Sequence, residues 1–356
     1  MVLLAWGHSH RSTADPELIR WGADVARSEG HLGDRGDRLE VALVRPGSAA
    51  AASGGRKRIR VNGVPRRAAA LPGHLRVVLF APEDMLLVVG SPGLRRATID
   101  RLASSLWPAY ADALATYGRA LQQRNGLLRL VREERAGRDE LRYWDEPLLT
   151  SGGAIVEGRH RLLAELAGPL ASAHAEIAPE EALGQAAGSG AMAPGGSRGP
   201  GLAIRYLTNA PQDPGEDARS ALARRLAETA EKELWNGTTL VGPHRDDVAF
   251  ELAGRDLSGF ASRGQQRTSI LALKLAELDV LTTRDGRPPL LLLDDVFSEL
   301  DPARRSHLVR RIAALPQAFV TTTTLDDLDR ELRAHATAWE VRLDAAAGAT
   351  LLGGAP

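Results

Sequence analysis

The alternation of apolar and polar residues divides the 356-residue chain into three stretches. In the first, residues 39–44 alternate well enough to predict a strand. A loop of small residues spans 49–55. Arg58-Ile59-Arg60-Val61 then alternates basic and apolar and runs into Asn62-Gly63. Both positions of an Asn-Gly turn favour positive φ, so this pattern predicts a hairpin. Leu75 to Phe80 reads as a buried strand. From Ser91 the period changes. Ile99, Leu102, Leu106, Tyr110, Leu114, Tyr117, Leu121, Leu128 and Val131 recur at three- and four-residue steps. That spacing predicts a long amphipathic helix, broken near Pro108. A second helical stretch is predicted over 153–175, with a charged loop at 133–139 ahead of it. Residues 184–201 are Gly, Ala, Ser and Pro with little else and are predicted to be disordered. One more helix is predicted over 216–235.

Strand and turn chemistry returns after Trp235. Residues 248–252 alternate as a strand, and Thr268 to Thr282 is strongly helical in pattern. Leu290 to Leu293 reads as a buried strand, too short and too apolar for an exposed one. Asp301-Pro302 reads as an N-cap followed by proline at the first helical position, opening a helix to about Leu315. Residues 318–322 read as a last parallel strand. Strands, then helices, then α/β alternation predict an α/β head with a helical lobe inserted between its two parts. The boundaries fall at 1–80, 81–236 and 237–356. No internal repeat is present.

Composition narrows the function without naming it. Lys plus Arg and Asp plus Glu both number 45, so any basic surface must be local. Arg56, Lys57, Arg58 and Arg60 form one such cluster, suited to DNA phosphates or to a solvated hairpin. The chain has no cysteine, which excludes disulfides, Cys-zinc sites and thiol catalysis and fits a reducing cytoplasm. No apolar run reaches the length of a membrane span, and the first ten residues lack a signal-peptide pattern. His8 and His10 have no third ligand at metal-binding spacing.

Two short segments carry chemistry. The strand of four leucines ends in Asp294-Asp295, which places two carboxylates at its C-terminal edge, where open α/β sheets bind ligands. Such an Asp can hold Mg²⁺ on a nucleotide, and the next carboxylate can orient the attacking water. Upstream, Ser262-Arg263-Gly264-Gln265-Gln266 opens a helix, and the free N–H groups there favour phosphate. Each also has a purely structural reading: acidic capping of a loop, and a Ser/Gln capping box.

In this order and spacing, with Ser298-Glu299-Leu300-Asp301 following, the segments resemble the second half of an ABC-type ATPase head. The resemblance sharpens to the RecF family. Gly242-Pro243-His244-Arg245-Asp246 is similar to a block of that family. So are Phe80-Ala81-Pro82-Glu83-Asp84, Gly90-Ser91-Pro92 with Arg95-Arg96, Tyr117 through Gln123-Arg124-Asn125, Trp144-Asp145, and His8-Ser9-His10-Arg11. It runs from about Leu3 to about Leu332.

The resemblance implies a recombination mediator that binds ATP and Mg²⁺, dimerises around them and binds single-stranded DNA and single-strand/duplex junctions. Its work would lie in replication, recombinational repair and the SOS response, alongside other mediators. It implies Asp294 as the Mg²⁺ ligand, and Asp295 where many ABC proteins carry the catalytic glutamate, so hydrolysis should be slow. Ser262, Gly264, Gln265 and Gln266 would serve the partner copy's nucleotide, with Ser298 and Asp301 beside them. Thr321 to Thr324 stand where transporters of this class carry histidine. The family's phosphate loop, ending Gly-Lys-Thr/Ser, is absent: none of Lys57, Lys232 and Lys274 follows a glycine. The expectation is therefore an N-terminally truncated copy that does not bind ATP tightly by itself. The alternative is a non-enzymatic remnant acting only as a DNA-binding or interaction module. A head of the SMC class fits poorly, because the helical region is too short for a long coiled-coil arm.

Overall fold

The chain enters on a short helix, α1 (Val2–Trp6), which Gly7 ends in the left-handed conformation. The computed structural model describes residues 1–356 except 13, 34–35, 49–50, 52–55, 181–200, 298–299, 329, 345–347 and 354–356. Most of the small-residue loop at 49–55, and all of 184–201 but Gly201, thus lie outside the described residues.

An antiparallel sheet follows: β1 (Val25–Leu32), β2 (Asp37–Val44), β3 (Lys57–Val61) and β4 (Val64–Pro65), in that order. Leu39, Val41, Leu43, Ile59 and Val61 alternate onto one face and pack with Leu4, Ile19 and Leu71. The hairpin turn falls where the sequence places it, with Asn62 at φ 54° and Gly63 at φ 79°. The side chain of Asn62 accepts from the Arg38 N–H at 2.8 Å and donates to Asp37 at 2.7 Å. β1 has no sequence signal because its inward positions are Ala26, Ser28, Gly30 and Leu32, only half-buried.

The site rests on a three-stranded parallel sheet formed by β5 (Val77–Phe80) and two strands from the far end of the chain. These are β9 (Leu290–Asp294) in the centre and β10 (Ala318–Thr321) at the other edge. Val77, Leu79 and Leu292 face Val2 and Ala5 of α1. Val78, Phe80, Leu291 and Leu293 face the helical core. Cover on both faces is why these strands read as unbroken apolar runs.

Between β5 and the C-terminal segment lie α2 (Leu86–Val89), α3 (Pro92–Leu106), α4 (Pro108–Arg132), α5 (Arg142–Ile177), β6 (Leu202–Leu207) and α6 (Ala218–Asn236). The predicted break is real: Trp107 is extended at φ −130°, ψ 106°, and Pro108 starts the next helix. α5 begins eleven residues earlier than the predicted 153 and carries Pro147 and Pro169 inside it. An interior proline costs roughly 3 kcal/mol. Burial of Leu148, Ile155, Val156, Leu162, Leu166 and Leu170 along one face offsets that cost.

β7 (Asp247–Leu252) pairs antiparallel with β6 and with the short β8 (Arg255–Asp256). Then come α7 (Arg263–Asp285), α8 (Pro302–Ala313), α9 (Arg330–His335) and a terminal hairpin, β11 (Trp339–Asp344) with β12 (Gly348–Gly353). α7 is the central helix. Residues Thr268 to Leu278 are all buried, including Lys274, which pairs with Asp84 at 3.2 Å.

Candidate functional site

β9 carries Asp294 to the C-terminal edge of the parallel sheet, behind three leucines buried at 291–293. Its carboxylate is held from two sides. The Thr321 hydroxyl, at the end of β10, donates to Oδ1 at 2.6 Å, and the Arg11 guanidinium pairs with Oδ2. Asp295 turns out of the strand at φ 51°, and its N–H donates to the Thr321 carbonyl at 3.1 Å. The left-handed region disfavours a Cβ-bearing residue, though Asp tolerates it better than most. Phe80, Pro82 and Met85, from the end of β5 and beyond, line a small cavity together with Asp294, Asp295 and Arg267. His10 lies beside this edge. Burial and Arg11 lower its pKa, while Glu83, Asp294 and Asp84 pull the other way. Arg267 was not singled out from the sequence, Thr321 was noted only as standing where transporters carry histidine, and Arg11 only within its motif. The Arg11–Asp294 pair joins residues 283 positions apart, which no local pattern encodes.

Ser262 caps α7. Its Oγ accepts from the Gln265 N–H at 3.2 Å, and Gln265 Oε1 accepts from the Ser262 N–H at 3.1 Å. This reciprocal box engages both side chains within their own helix. The Gln266 side chain donates to the Ala261 carbonyl at 3.1 Å. Gly264 has ordinary surroundings: a Cβ there would meet only Arg304 Nη1, at 3.5 Å, and Ser262 Oγ, at 3.8 Å. Nothing among the described residues therefore demands glycine there. Asp301 caps α8, accepting from the Arg304 N–H at 3.0 Å and pairing with the Arg304 guanidinium at 2.8 Å. Arg304, held by Asp301, thus lies next to Gly264. Ser298 lies outside the described residues.

The basic cluster divides by strand alternation. Lys57 falls on the inner side, where it pairs with Asp15 and donates to the Gly7 carbonyl, each at 2.8 Å. Arg58 and Arg60 fall on the outer face, and Arg56 is exposed. That face is of mixed sign, since Arg27 pairs with Glu40 and Arg38 with Glu29.

The block from Gly242 to Asp247 organises a buried polar lattice. Tyr117 Oη lies 2.6 Å from His244 Nδ1, and His244 Nε2 lies 3.2 Å from the Thr239 carbonyl. Arg159 donates to the Pro243 carbonyl at 2.8 Å and holds both oxygens of Asp100 at 2.9 Å. Asp246, almost fully buried, accepts from the Tyr206 hydroxyl at 2.6 Å and the Asn209 N–H at 2.9 Å. Arg95 grips Asp247 with two bonds of 2.8 and 2.7 Å. Burial pushes the His244 pKa down to about 4 and pushes the Asp246 carboxyl up. The block ties α3, α4 and α5 to β6 and β7. Its residues are chemically reactive in type but structural in placement.

Asp294 and the Thr321 hydroxyl are oxygen donors, which suits a hard cation such as Mg²⁺. Among the described residues no group of three or more His, Asp or Glu could hold a metal ion unaided. No helix among them is long and apolar enough to cross a membrane.

An acidic strand edge, a capped central helix behind it and a helical insertion between the sheet's strands define an ABC-type ATPase head. Two relatives, each a DNA replication and repair protein RecF, align over nearly the whole chain. The Geobacillus thermodenitrificans protein is 38% identical over 351 residues, covering 96% of this chain and 86% of its own. The Chloroflexus aggregans protein is 38% identical over 362 residues, covering 95% and 86%. The chain belongs to the RecF family. A solved structure of the recombination mediator protein RecF-ATPrS in the RecFOR pathway matches with a TM-score of 0.77 at 29% identity. It covers 92% of this chain and 82% of its own. A second, of RecF-ATP, matches with the same TM-score. No family model matches the chain.

Proposed function

We propose that this protein is a recombination mediator of DNA replication and repair whose head dimerises around ATP and Mg²⁺ to hold DNA. The proposed organisation is a head split between 1–80 and 237–356, with 81–236 as the inserted lobe. The observation that carries the reading is Gly264. It sits in the first turn of a helix, without positive φ and without a steric demand from any described residue of its own chain. Close approach of an outside group, such as a phosphate on a second copy, accounts for it.

Asp294 would take Mg²⁺ in exchange for Arg11, with Thr321 fixing its other oxygen. Mg²⁺ commonly binds one or two carboxylates and completes its shell with phosphate oxygens and water. Bound nucleotide would supply those oxygens, and the negative charge that draws the second head in. Asp295 would orient water, and Ser262, Gln265 and Gln266 would face the partner's phosphates, with Ser298 and Asp301 alongside. With the Gln265 N–H already given to Ser262 Oγ, the backbone N–H groups of Arg263 and Gly264 would be the phosphate donors. Arg56, Arg58 and Arg60 would contribute to DNA binding at single-strand/duplex junctions. Lys57, already paired with Asp15, would position the hairpin rather than touch DNA.

The test is a DNA gel shift with and without ATP, in a form of the chain carrying a Gly-Lys-Thr/Ser loop. ATP-dependent retention of a gapped duplex, lost in Asp294→Asn, is expected. Retention indifferent to ATP would favour a plain DNA-binding module instead.

A further inference from the structure

One end of the helical stretch gathers exposed rings and cations that the Asp294 edge does not use. Trp235 lies in the last turn of α6 and is 83% exposed, although tryptophan is highly buried on average. α4 ends against that turn. Arg132 donates to the Asn236 carbonyl at 3.3 Å, and a Cβ on Gly237 would lie 3.0 Å from Arg132 Nη1 and 3.4 Å from Arg129 Cγ. Lys232 lies about one turn before Trp235 on the same face of α6. Buried Arg124 ties the start of α5 to this place: it pairs with Asp145 of α5 and with Glu233 of α6, each at 2.7 Å. That brings Arg142 and Tyr143, the latter 75% exposed, to the same end.

The charges here sort by position. Glu231 holds Arg138 at 2.7 Å, and Glu133 holds Arg135 at 3.1 Å. Arg129, Arg132, Arg142 and Lys232 are exposed and have no carboxylate partner among the described residues. All four stand on the helices themselves. The carboxylates without a cationic partner among the described residues, Glu134, Asp139 and Glu140, fall in the turn between α4 and α5, where Glu140 accepts from the Gly137 N–H at 2.8 Å. Cations beside exposed aromatic rings suit a single strand of nucleic acid. The cations follow its phosphates, and its unpaired bases stack on the rings. A duplex keeps its bases inside, so it would gain the charge contacts without the stacking.

We infer that this end of the helical stretch is a binding site for single-stranded nucleic acid. Trp235 and Tyr143 stack bases, and Arg129, Arg132, Arg142 and Lys232 meet phosphates. The site lies within one chain, so binding here needs neither ATP nor a second copy and does not rest on the head dimer proposed above.

Fluorescence anisotropy of labelled oligo(dT), on this chain and without nucleotide, tests the inference. Saturable binding is expected, weaker for a blunt duplex of the same length. Trp235→Ala should weaken it about fivefold or more, the low end for loss of one stacked base. Trp235→Phe should keep most of the affinity, where Trp235→Leu does not. Arg129→Gln should lower the slope of log affinity against log salt by about 0.7, the value of one phosphate contact on a single strand. Both side chains are exposed, so each variant should melt at the wild-type temperature. The inference is overturned by no oligo(dT) binding below about 1 mM, by tighter binding of the duplex, or by an unchanged salt slope in Arg129→Gln. It is also overturned by unchanged affinity in Trp235→Ala, which leaves the β3–β4 hairpin as the DNA contact, and by equal affinities for Trp235→Leu and Trp235→Phe, which make Trp235 an anchor for an apolar protein surface. Oligo(dT) binding that persists where the gel shift shows no ATP dependence would fault the head dimer and leave this site standing.

Discussion

Gly242 holds φ 131°, and a Cβ there would run into the Tyr117 hydroxyl. Gly242→Ala combines backbone strain of about 1–3 kcal/mol with that collision. Urea denaturation should show a loss of at least about 2 kcal/mol; an unchanged midpoint would contradict the lattice described around Tyr117. His244, in the same lattice, gives a pH signature. Its folded pKa of about 4 lies below the ordinary histidine value of 6.5. The unfolded chain therefore binds its proton first as pH falls. This contribution to stability is full above pH 6.5 and is lost on descent from 6.5 toward 4, on the order of 3 kcal/mol in all. The raised pKa of Asp246 works in the opposite direction. Melting temperature should thus fall between pH 7 and 5 in the wild type and fall less steeply in His244→Asn. Equal slopes would assign the acid sensitivity elsewhere. At the strand edge, Asp294→Asn should abolish any ATP turnover. Asp295→Asn should slow it by roughly 10²–10⁴ while leaving ATP-bound dimers intact. Failure of Asp295→Asn to dimerise would overturn the division of roles between the two carboxylates.

At the level of elements, α7 links a buried interior to an exposed start. Thr268 to Leu278 is core, whereas Ser262 is a surface cap. Ser262→Ala should cost about 1 kcal/mol through the lost cap, seen as a lowered thermal midpoint. What the sequence reveals of these elements follows from which signals are local. The Asn62-Gly63 turn, the break at Pro108, the leucine strand before Asp294 and the Asp301-Pro302 helix start each depend on neighbours in the chain, and all four were legible. β1 and the terminal hairpin were missed because their inward positions are weakly apolar or exposed: Val341 and Leu343 of β11 are 68% and 87% accessible. β6 was missed although Leu202, Ile204 and Tyr206 alternate onto the core. The start of α5 was missed because Pro147 and Gly152-Gly153 argue locally against helix, and tertiary packing overrides them. The candidate site was legible as motifs but not as contacts. Arg11 against Asp294, Thr321 beside it and Arg304 next to Gly264 are long-range contacts. The Gly242 block was visible as a motif, while its role as a buried tie between lobe and sheet required the fold.

In the whole molecule, a sheet whose strands come from residues 77–80, 290–294 and 318–321 brings the two ends of the chain to one edge. The helical stretch between them stands on the central helix whose first turn is the proposed contact with a second copy. The two are joined by α5, which packs against α7. The central claim is that Ser262 acts in trans as well as capping its own helix. The most direct test is light scattering with ATP and Mg²⁺ on the form carrying the phosphate loop, comparing the wild type with Ser262→Arg. The account predicts a dimer for the wild type and a monomer for Ser262→Arg, with a thermal midpoint lowered no more than by loss of the cap. A normal ATP-dependent dimer in Ser262→Arg would contradict it and leave Ser262 as a helix cap alone.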